Sequence, residues 1–404
     1  MTVARTSLPP AAPTTSRRAL IVGGVAAGVM AGLPLRARAA SPAAGASKLW
    51  LDPARIVRVT VCLRPFRAAG PRIEEERIAG RRVVHHYGHG GSGWSLGWGS
   101  ARVAVPLALA GGGAGGGAGG RREIAVVGAG AIGLTTAITA QRLGAKVTIY
   151  ARERFPEVRS AYATGTWSPH SRIAFEDAVD EGFARRWETM ARTTFALYQG
   201  YVGLGDNPVE WTDRYTLSDT PISRRPHTPV LLPGGGSGLF VDYDETVKDL
   251  LPGRETLPAG SHPFAVPHVR RSTTLTFNVP ALARALEAEF LANGGRFVPM
   301  ALAGPADFAR IPERTILNCT GYGARALLGD DSVVPVRGQI AWLPPQDGPP
   351  VGLQYRDVSV LARRDGTVVQ YQGSDDSYGF ADANEQPDHA VARESLSRLA
   401  GIYA

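Results

Sequence analysis

Two cysteines in 404 residues, Cys62 and Cys319, cannot build a disulfide framework. Both stand in apolar, strand-like runs and read as buried free thiols. A basic stripe is also missing. Five of the eight net positive charges fall in residues 1–39, as Arg5, Arg17, Arg18, Arg36 and Arg38, with no acid among them. The rest of the chain is close to balance, which excludes a nucleic-acid footprint. Long apolar runs are lacking too. The one candidate, "ALIVGGVAAGVMAGLPL" (Ala19 to Leu35), is short for a membrane span and broken by glycine and proline, so no stable membrane association is expected. With "SRR" (Ser16 to Arg18) before it and "ARA" (Ala37 to Ala39) after it, residues 1–39 read as a cleavable export signal of twin-arginine type. No cysteine stands at the cleavage site, which argues against a lipoprotein. The expectation is an exported protein delivered folded by the twin-arginine machinery, with 40–47 as a flexible lead-in.

What the chain has in plenty is glycine and alanine. "GGGAGGGAGG" (Gly111 to Gly120) has no side chains to pack, so 107–120 is expected to be a linker. Before it, "RIVRVTVCLRPF" (Arg55 to Phe66) is β-branched and alternating, hence a strand. "RIEEER" and "RRVVHHYG" then form a hairpin that runs into a glycine-rich turn. After the tract, "REIAVVGAGAIGLTTAITAQRLGAKVTIYA" reads strand, glycine turn, helix, strand within one short βαβ unit. There Gly128 permits the tight turn, Gly130 lets backbone approach a pyrophosphate, and Gly133 lets helix and strand close up. The N-terminus of that helix offers free N–H groups to phosphates. Arg152, followed by Glu153, occupies the end of the second strand, where a ribose-holding acid is expected; the ribose contact stays open. Further on, an amphipathic helix is expected from about Val279 to the Gly294-Gly295 pair. "RTILNCTG" is another apolar strand ending in a turn.

Taken together, these pieces resemble the D-amino-acid oxidase family of FAD enzymes, in permuted order. That family opens with the GxGxxG unit and continues to an "AAGLW"-type stretch, matched by "ATGTW" (Ala163 to Trp167). "NCTG" (Asn318 to Gly321) and "RGQ" (Arg337 to Gln339) follow. It closes with an "RP-x-R" strand and "NYGHGG-x-G". Here those closing elements are "LRPFR" (Leu63 to Arg67) and "HYGHGGSGWSLGWGSA", standing ahead of the opening. One cut and one join explain the order, with the Gly/Ala tract joining the family's old ends.

The resemblance implies an α/β fold: a Rossmann-like FAD-binding domain interleaved with a mixed-sheet α+β substrate domain. In chain order the expected segments are 48–106 (the displaced closing segment), 107–120, 121–168 (the FAD-binding βαβ unit), 169–273, 274–338 and 339–404. The FAD domain would combine 68–106, 121–168 and 274–338. The substrate domain would take 48–67, 169–273 and 339–404. FAD contacts are implied at Gly128, Gly130, Ala131, Ile132, Gly133, Arg152, Ser160, Gly165, Thr166, Thr320 and Gly321. From the displaced turn come Gly90, Gly91, Gly93, Trp94 and Ser95. Arg64 would grip a substrate carboxylate with two parallel hydrogen bonds. The bland alternative pairs Arg64 with Glu74, Glu75 or Glu76, which otherwise read as a solvated face. Tyr355 matches the first of two family active-site tyrosines, Ser359 stands where the second would be, and Gly91 would offer its carbonyl to the substrate amine. Arg356, beside Tyr355, reads either as a contact for an acidic substrate side chain or, in preference, as an exposed loop arginine. His85, His86 and His89 lack an acid or cysteine partner nearby, and no metal is assigned to them. The implied reaction is FAD-dependent oxidative deamination of a D-amino acid with oxygen as acceptor. Alternatives are a related amine oxidase or dehydrogenase of glycine-like or N-methyl amino acids, and a flavin-binding relative without turnover. Oligomeric state is open.

Overall fold

Strand-forming runs alternate with glycine-punctuated helices, and a computed structural model resolves them into two large sheets. It describes residues 48–110, 122–223 and 227–403. The export signal, the lead-in at 40–47 and the Gly/Ala tract at 111–120 lie outside the described residues. In chain order the elements are β1 Arg58–Phe66, β2 Arg72–Ile78, β3 Arg81–Tyr87, α1 Gly93–Ala110, β4 Glu123–Val127, α2 Ala131–Arg142 and β5 Lys146–Ala151. Next come α3 Phe183–Gln199, β6 Val209–Ser218, β7 Val230–Leu231, β8 Ser237–Gly238, β9 Glu255–Leu257, β10 His268–Phe277, α4 Val279–Ala292, β11 Arg296–Pro299, β12 Thr315–Asn318 and α5 Gly323–Leu328. The chain ends with β13 Val334–Leu343, β14 Val351–Tyr355, β15 Val358–Arg363, β16 Gly366–Tyr371 and α6 His389–Ser397.

The six-stranded sheet runs β11-β5-β4-β12-β3-β2, parallel throughout except for β2, which folds back antiparallel on β3 at the edge. Its inner strands β4, β5 and β12 are buried, mostly apolar runs, as expected of parallel strands covered on both faces. The hairpin turn between β2 and β3 uses Ala79 and Gly80, both at positive φ. Glu74, Glu75 and Glu76 are exposed, as a solvated face should be, and their ion pairs lie at the surface. Arg72 pairs with Glu74 and Glu76, Arg82 with Glu75, and His85 with Glu76.

The eight-stranded sheet runs β1-β13-β16-β15-β14-β6-β10-β9, antiparallel except for β14 beside β6. One face is a core in which Tyr215, Leu353, Val358, Val360 and Val369 meet Ala392, Leu396 and Leu399 of the α6 region. Strands β10 and β13 run across the boundaries expected at 273/274 and 338/339. Both belong wholly to this sheet, because their antiparallel partners β6 and β1 hold them there.

Helix α1 is buried along most of its length and packs against α2 and α3. Glycine permits the approach: a Cβ on Gly97 would lie 2.9 Å from Thr135 Oγ1, and one on Gly99 only 2.0 Å from the Met190 carbonyl oxygen. The helix runs through Pro106 to Ala110, past the start expected for the linker. Arg82 explains the extension. Its guanidinium donates to the terminal carbonyls of Leu107 (2.6 Å) and Ala108 (2.8 Å) while pairing with Glu75, which satisfies groups a helix end leaves open. Among the described residues no helix is long and apolar enough to cross a membrane.

Candidate active site

Five parallel strands end at one place. Beyond the C-terminal ends of β3, β4, β5, β11 and β12 lies a cavity of about 890 Å³, where open α/β sheets meet their ligands. Each strand contributes the residues just past its end. After β4 come Gly128, Gly130, Ala131 and Ile132; after β5, Arg152; after β12, Thr320 and Gly321. The turn after β3 brings Gly90, Gly91, Gly93 and Trp94, and Ser160 closes the wall near the start of α2. Met300, Ala301, Leu302 and Ala303 follow β11 and also line the cavity. The sequence reading missed them, although the strand-end rule could have found them once β11 was seen to be parallel.

Local geometry shows why these residues are small. Gly128 has φ +104°, and a Cβ there would lie 2.6 Å from the Cys319 carbonyl oxygen. Gly133 does not face the cavity. Its missing side chain lets α2 close on β4, since a Cβ would sit 2.0 Å from the Gly128 carbonyl oxygen. Gly90 and Gly91 line the cavity, but their glycine identity has a second cause: Cβ atoms there would strike Arg172 O at 1.8 Å and Ser171 Oγ at 2.7 Å. Helix α2 starts without a side-chain cap from Gly130. The Ala131 amide instead donates to Ser160 Oγ at 3.0 Å.

Other expected contacts fall off the wall. Ser95 is buried, with its Oγ accepting from the Ser168 amide at 2.8 Å. Gly165 offers its carbonyl to Phe277 N at 2.7 Å, and Thr166 bridges to Thr276. Their neighbours Ala163 and Thr164 reach the cavity in their place. Arg152 and Glu153 both line it, paired with each other at 2.9 Å.

Arg64 and Cys62, two residues apart on one face of β1, line the same cavity. The Arg64 guanidinium lies across Gly338 of β13, with Nη2 2.3 Å from where a Cβ would be. That contact accounts for the glycine of "RGQ". The flanking residues of the motif are structural: Arg337 donates to the carbonyls of Asn384 and Gln386, both at 2.8 Å, and Gln339 to that of Asp388 at 2.7 Å. Among the described residues no carboxylate pairs with Arg64, since Glu74, Glu75 and Glu76 are taken by Arg72, Arg82 and His85. Burial holds its pKa below the ordinary arginine value.

Tyr355 is not brought to Arg64. It is buried in the core under α6, and its hydroxyl donates to Asp219 at 3.0 Å. Tyr355 stands directly opposite Val358, whereas Ser359 stands opposite Gln354. The two aligned tyrosine positions therefore lie on opposite faces of the sheet. Arg356 is exposed and pairs with the same Asp219 at 2.9 Å. The three histidines are interior hydrogen-bonding groups: His85 to Glu76, His86 to Thr136 and His89 to Ser100. Desolvation lowers all three, His89 to about 3. Cys319 is buried beside the cavity, and burial pushes its thiol up to about 12. Cys62 is half-buried and likewise raised.

A family described as FAD dependent oxidoreductase matches residues 123–403. The chain belongs to that family. A D-amino-acid oxidase of Streptomyces coelicolor is 28% identical over 229 residues, covering 54% of this chain and 58% of the relative. The chain thus matches less than two thirds of that relative's length. Human D-aspartate oxidase is 27% identical over 284 residues, covering 69% of this chain and 75% of the relative. Among solved structures, glycine oxidase from Geobacillus kaustophilus aligns with a TM-score of 0.45 at 11% identity, covering 70% of this chain and 78% of that one. Iminodiacetate oxidase from Chelativorans sp. BNC1 aligns at 0.43 and 18%, covering 69% and 78%.

The FAD of this family fits the residues present. The cavity falls within the roughly 300–1,000 Å³ of cofactor sites. Its floor is backbone that cannot carry a Cβ at Gly128. The first turns of two helices open onto it, α1 through Gly93 and Trp94, α2 through Ala131 and Ile132, and such termini attract anionic groups.

Proposed function

We propose that this FAD-dependent oxidoreductase deaminates D-amino acids oxidatively. One observation carries the reading: the Arg64 guanidinium lines the cofactor cavity with no carboxylate partner among the described residues. A guanidinium held by burial and left without a counter-charge suits a carboxylate that arrives with the substrate. Tyr355 sits elsewhere, so the α-carboxylate falls to Arg64 alone, lying flat over Gly338. The Gly91 carbonyl accepts a hydrogen bond from the neutral substrate amine and fixes the second point of attachment. These two holds, with the apolar wall of Ile340 and Trp94, orient the Cα–H bond, and most of the rate follows from that positioning. Bound FAD supplies the hydride acceptor and the reaction with oxygen. The balance is amino acid, oxygen and water to 2-oxo acid, ammonia and hydrogen peroxide. FAD contacts in this reading are the cavity-lining glycines with Ala131, Ile132, Arg152, Ser160, Thr320 and Trp94; Gly133, Gly165, Thr166 and Ser95 support them from behind.

The chain is read as circularly permuted. Strand β3, from the segment preceding the glycine motif, takes an interior place beside β12, and the family match begins at residue 123, after that segment. Residues 1–39 are read as a twin-arginine export signal, from sequence alone. A second substrate reading, glycine-like or N-methylated amino acids, draws on the absence of the second phenol at Ser359.

The test is anaerobic mixing of the purified flavoprotein with D- and L-amino acids, N-methyl amino acids and glycine, following the visible flavin band. Bleaching by D- but not L-amino acids, with peroxide on admitting air, is the expected result. Bleaching only by glycine or N-methyl compounds supports the second reading, and no bleaching by any amine sinks both.

A further inference from the structure

A chain of polar side chains crosses the six-stranded sheet from its outer edge to the cofactor cavity. Glu76, on the edge strand β2, stands 2.9 Å from His85 Nε2, and Arg72 anchors the same carboxylate at 3.2 Å. His85 on β3 lies directly opposite Asn318 on β12, and Asn318 Nδ2 meets His85 Nδ1 at 3.2 Å. The Thr320 hydroxyl donates to Asn318 Oδ1 at 2.8 Å, and Thr320 lines the cavity. Three neighbouring strands thus connect a surface carboxylate to the cavity wall. His85 and Asn318 are fully enclosed, so their polar atoms depend on one another for partners.

Every link in this chain runs in one direction. An amide oxygen only accepts, so the hydrogen between Thr320 and Asn318 Oδ1 belongs to the Thr320 hydroxyl. The amide NH2 therefore faces His85, where it can only donate. His85 Nδ1 must accept, which puts the ring proton on Nε2, and Nε2 donates to Glu76. Burial lowers the pKa of His85 against the opposing pull of Glu76, consistent with a neutral ring. The order reaches the cavity through Thr320. Its only hydrogen is committed to Asn318, so Oγ1 meets the cavity as an acceptor. Turning the hydroxyl around would strand the enclosed Asn318 Oδ1 without a partner. A phosphate group accepts hydrogen bonds and gives nothing to such an oxygen, whereas a sugar hydroxyl or a ring N–H of FAD donates to it.

We propose that Thr320 Oγ1 accepts a hydrogen bond from a hydroxyl or N–H of FAD rather than donating one to a phosphate. His85 and Glu76 are then positioning residues: they never touch the cofactor, and they hold Thr320 in the accepting sense through Asn318. The proposal uses the cofactor of the family and is independent of which amine is oxidised.

The test is the Kd for FAD, read from the flavin fluorescence released as the holoprotein is diluted. Thr320→Val is expected to raise it roughly tenfold, the loss of one hydrogen bond, and His85→Leu by a similar factor. His85→Gln keeps an acceptor toward Asn318 and a donor toward Glu76, and is expected to stay within about threefold of the parent. In a Thr320→Val background, His85→Leu is expected to add no more than about twofold, because the histidine acts through that hydroxyl. A parent-like Kd in Thr320→Val, or losses that multiply to roughly 100-fold in the double variant, overturns the proposal. Should His85→Leu fail to fold, Glu76→Ala at the surface carries the same comparison: a rise of about threefold alone and none in the Thr320→Val background. An unaltered Kd in Glu76→Ala, or an equal rise in both backgrounds, overturns the positioning role. With the Kd raised, the visible spectrum of Thr320→Val separates the two donors: a shifted flavin band assigns the ring N–H, and an unshifted one a sugar hydroxyl.

Discussion

In the proposed reading Arg64 concentrates the substrate chemistry in one side chain, and its removal has a specific signature. Arg64→Ala is expected to keep the flavin spectrum, because the cofactor floor is glycine backbone, while kcat/KM falls by roughly 10²–10³ from the loss of two charge-assisted hydrogen bonds. Arg64→Lys restores charge but not the fork and is expected to recover only part of that loss. Stopped-flow flavin reduction across a substrate series decides it: unchanged reduction kinetics in Arg64→Ala would remove this residue from the site. The buried histidines make a separate prediction about pH. His86 lies well below its ordinary value and His89 at about 3, both because burial penalises the charged form. In the unfolded chain each takes a proton below about pH 6.5. Their contribution to stability is therefore complete above that pH and is lost as pH falls from there toward the folded value, by up to about 1.4 kcal/mol per pH unit for each histidine. Melting temperature is expected to drop between pH 7 and 5, and His89→Gln to flatten that dependence. An unchanged slope in the variant would show that the acid sensitivity comes from other groups.

Helix α1 reaches its neighbours only where glycine lets it. Gly99→Ala places a Cβ 2.0 Å from the Met190 carbonyl oxygen, backbone that cannot swing aside, so the α1–α3 contact must open. A cost of about 3 kcal/mol is expected, at the upper end for overpacking. Gly205→Ala, with nothing within 4 Å and no positive φ, is the control and should be neutral. Thermal melts of the two variants check the pair, and equal melting temperatures would refute the packing argument. The same elements show what a sequence can disclose. The glycine turn after β4, the helix from Val279 and the strand at Thr315–Asn318 were legible because their signals are local: a turn that needs positive φ, an apolar period, a C-terminal Gly pair. Tyr355 was not. Four residues separate it from Ser359, which on one continuous strand would put both on one face. The chain turns between them, with Arg356 at φ +52°, and a two-residue hairpin turn pairs Tyr355 with Val358 and reverses the parity.

At the scale of the whole molecule, the order of segments and the order of strands in space part company. Strand β3 precedes the glycine motif in sequence yet lies between β12 and β2 in the sheet that carries it, and β1 precedes it too while pairing with β13 far downstream. The described chain also closes on itself. The Leu49 amide donates to the Tyr403 hydroxyl at 3.1 Å, and the Lys48 ammonium stands 5.8 Å from that tyrosine ring. Ends this close can be joined by a short linker at little entropic cost, while a break in a glycine-rich connection removes no packed side chain. If the proposed permutation is one cut and one join, it is reversible by the same operation. A rearranged chain that begins at residue 122, runs to 403, crosses a short Gly/Ser linker and ends with 48–110 is expected to fold, bind FAD with the parent's visible spectrum and retain kcat/KM within about tenfold. Its melting temperature should change by only a few degrees, since every interface between β1, β3, α1 and the rest is kept. A rearranged protein that stays colourless with added FAD would mean that the link from α1 to β4 is needed to assemble the cofactor site, and the order of segments would then be part of how this enzyme folds.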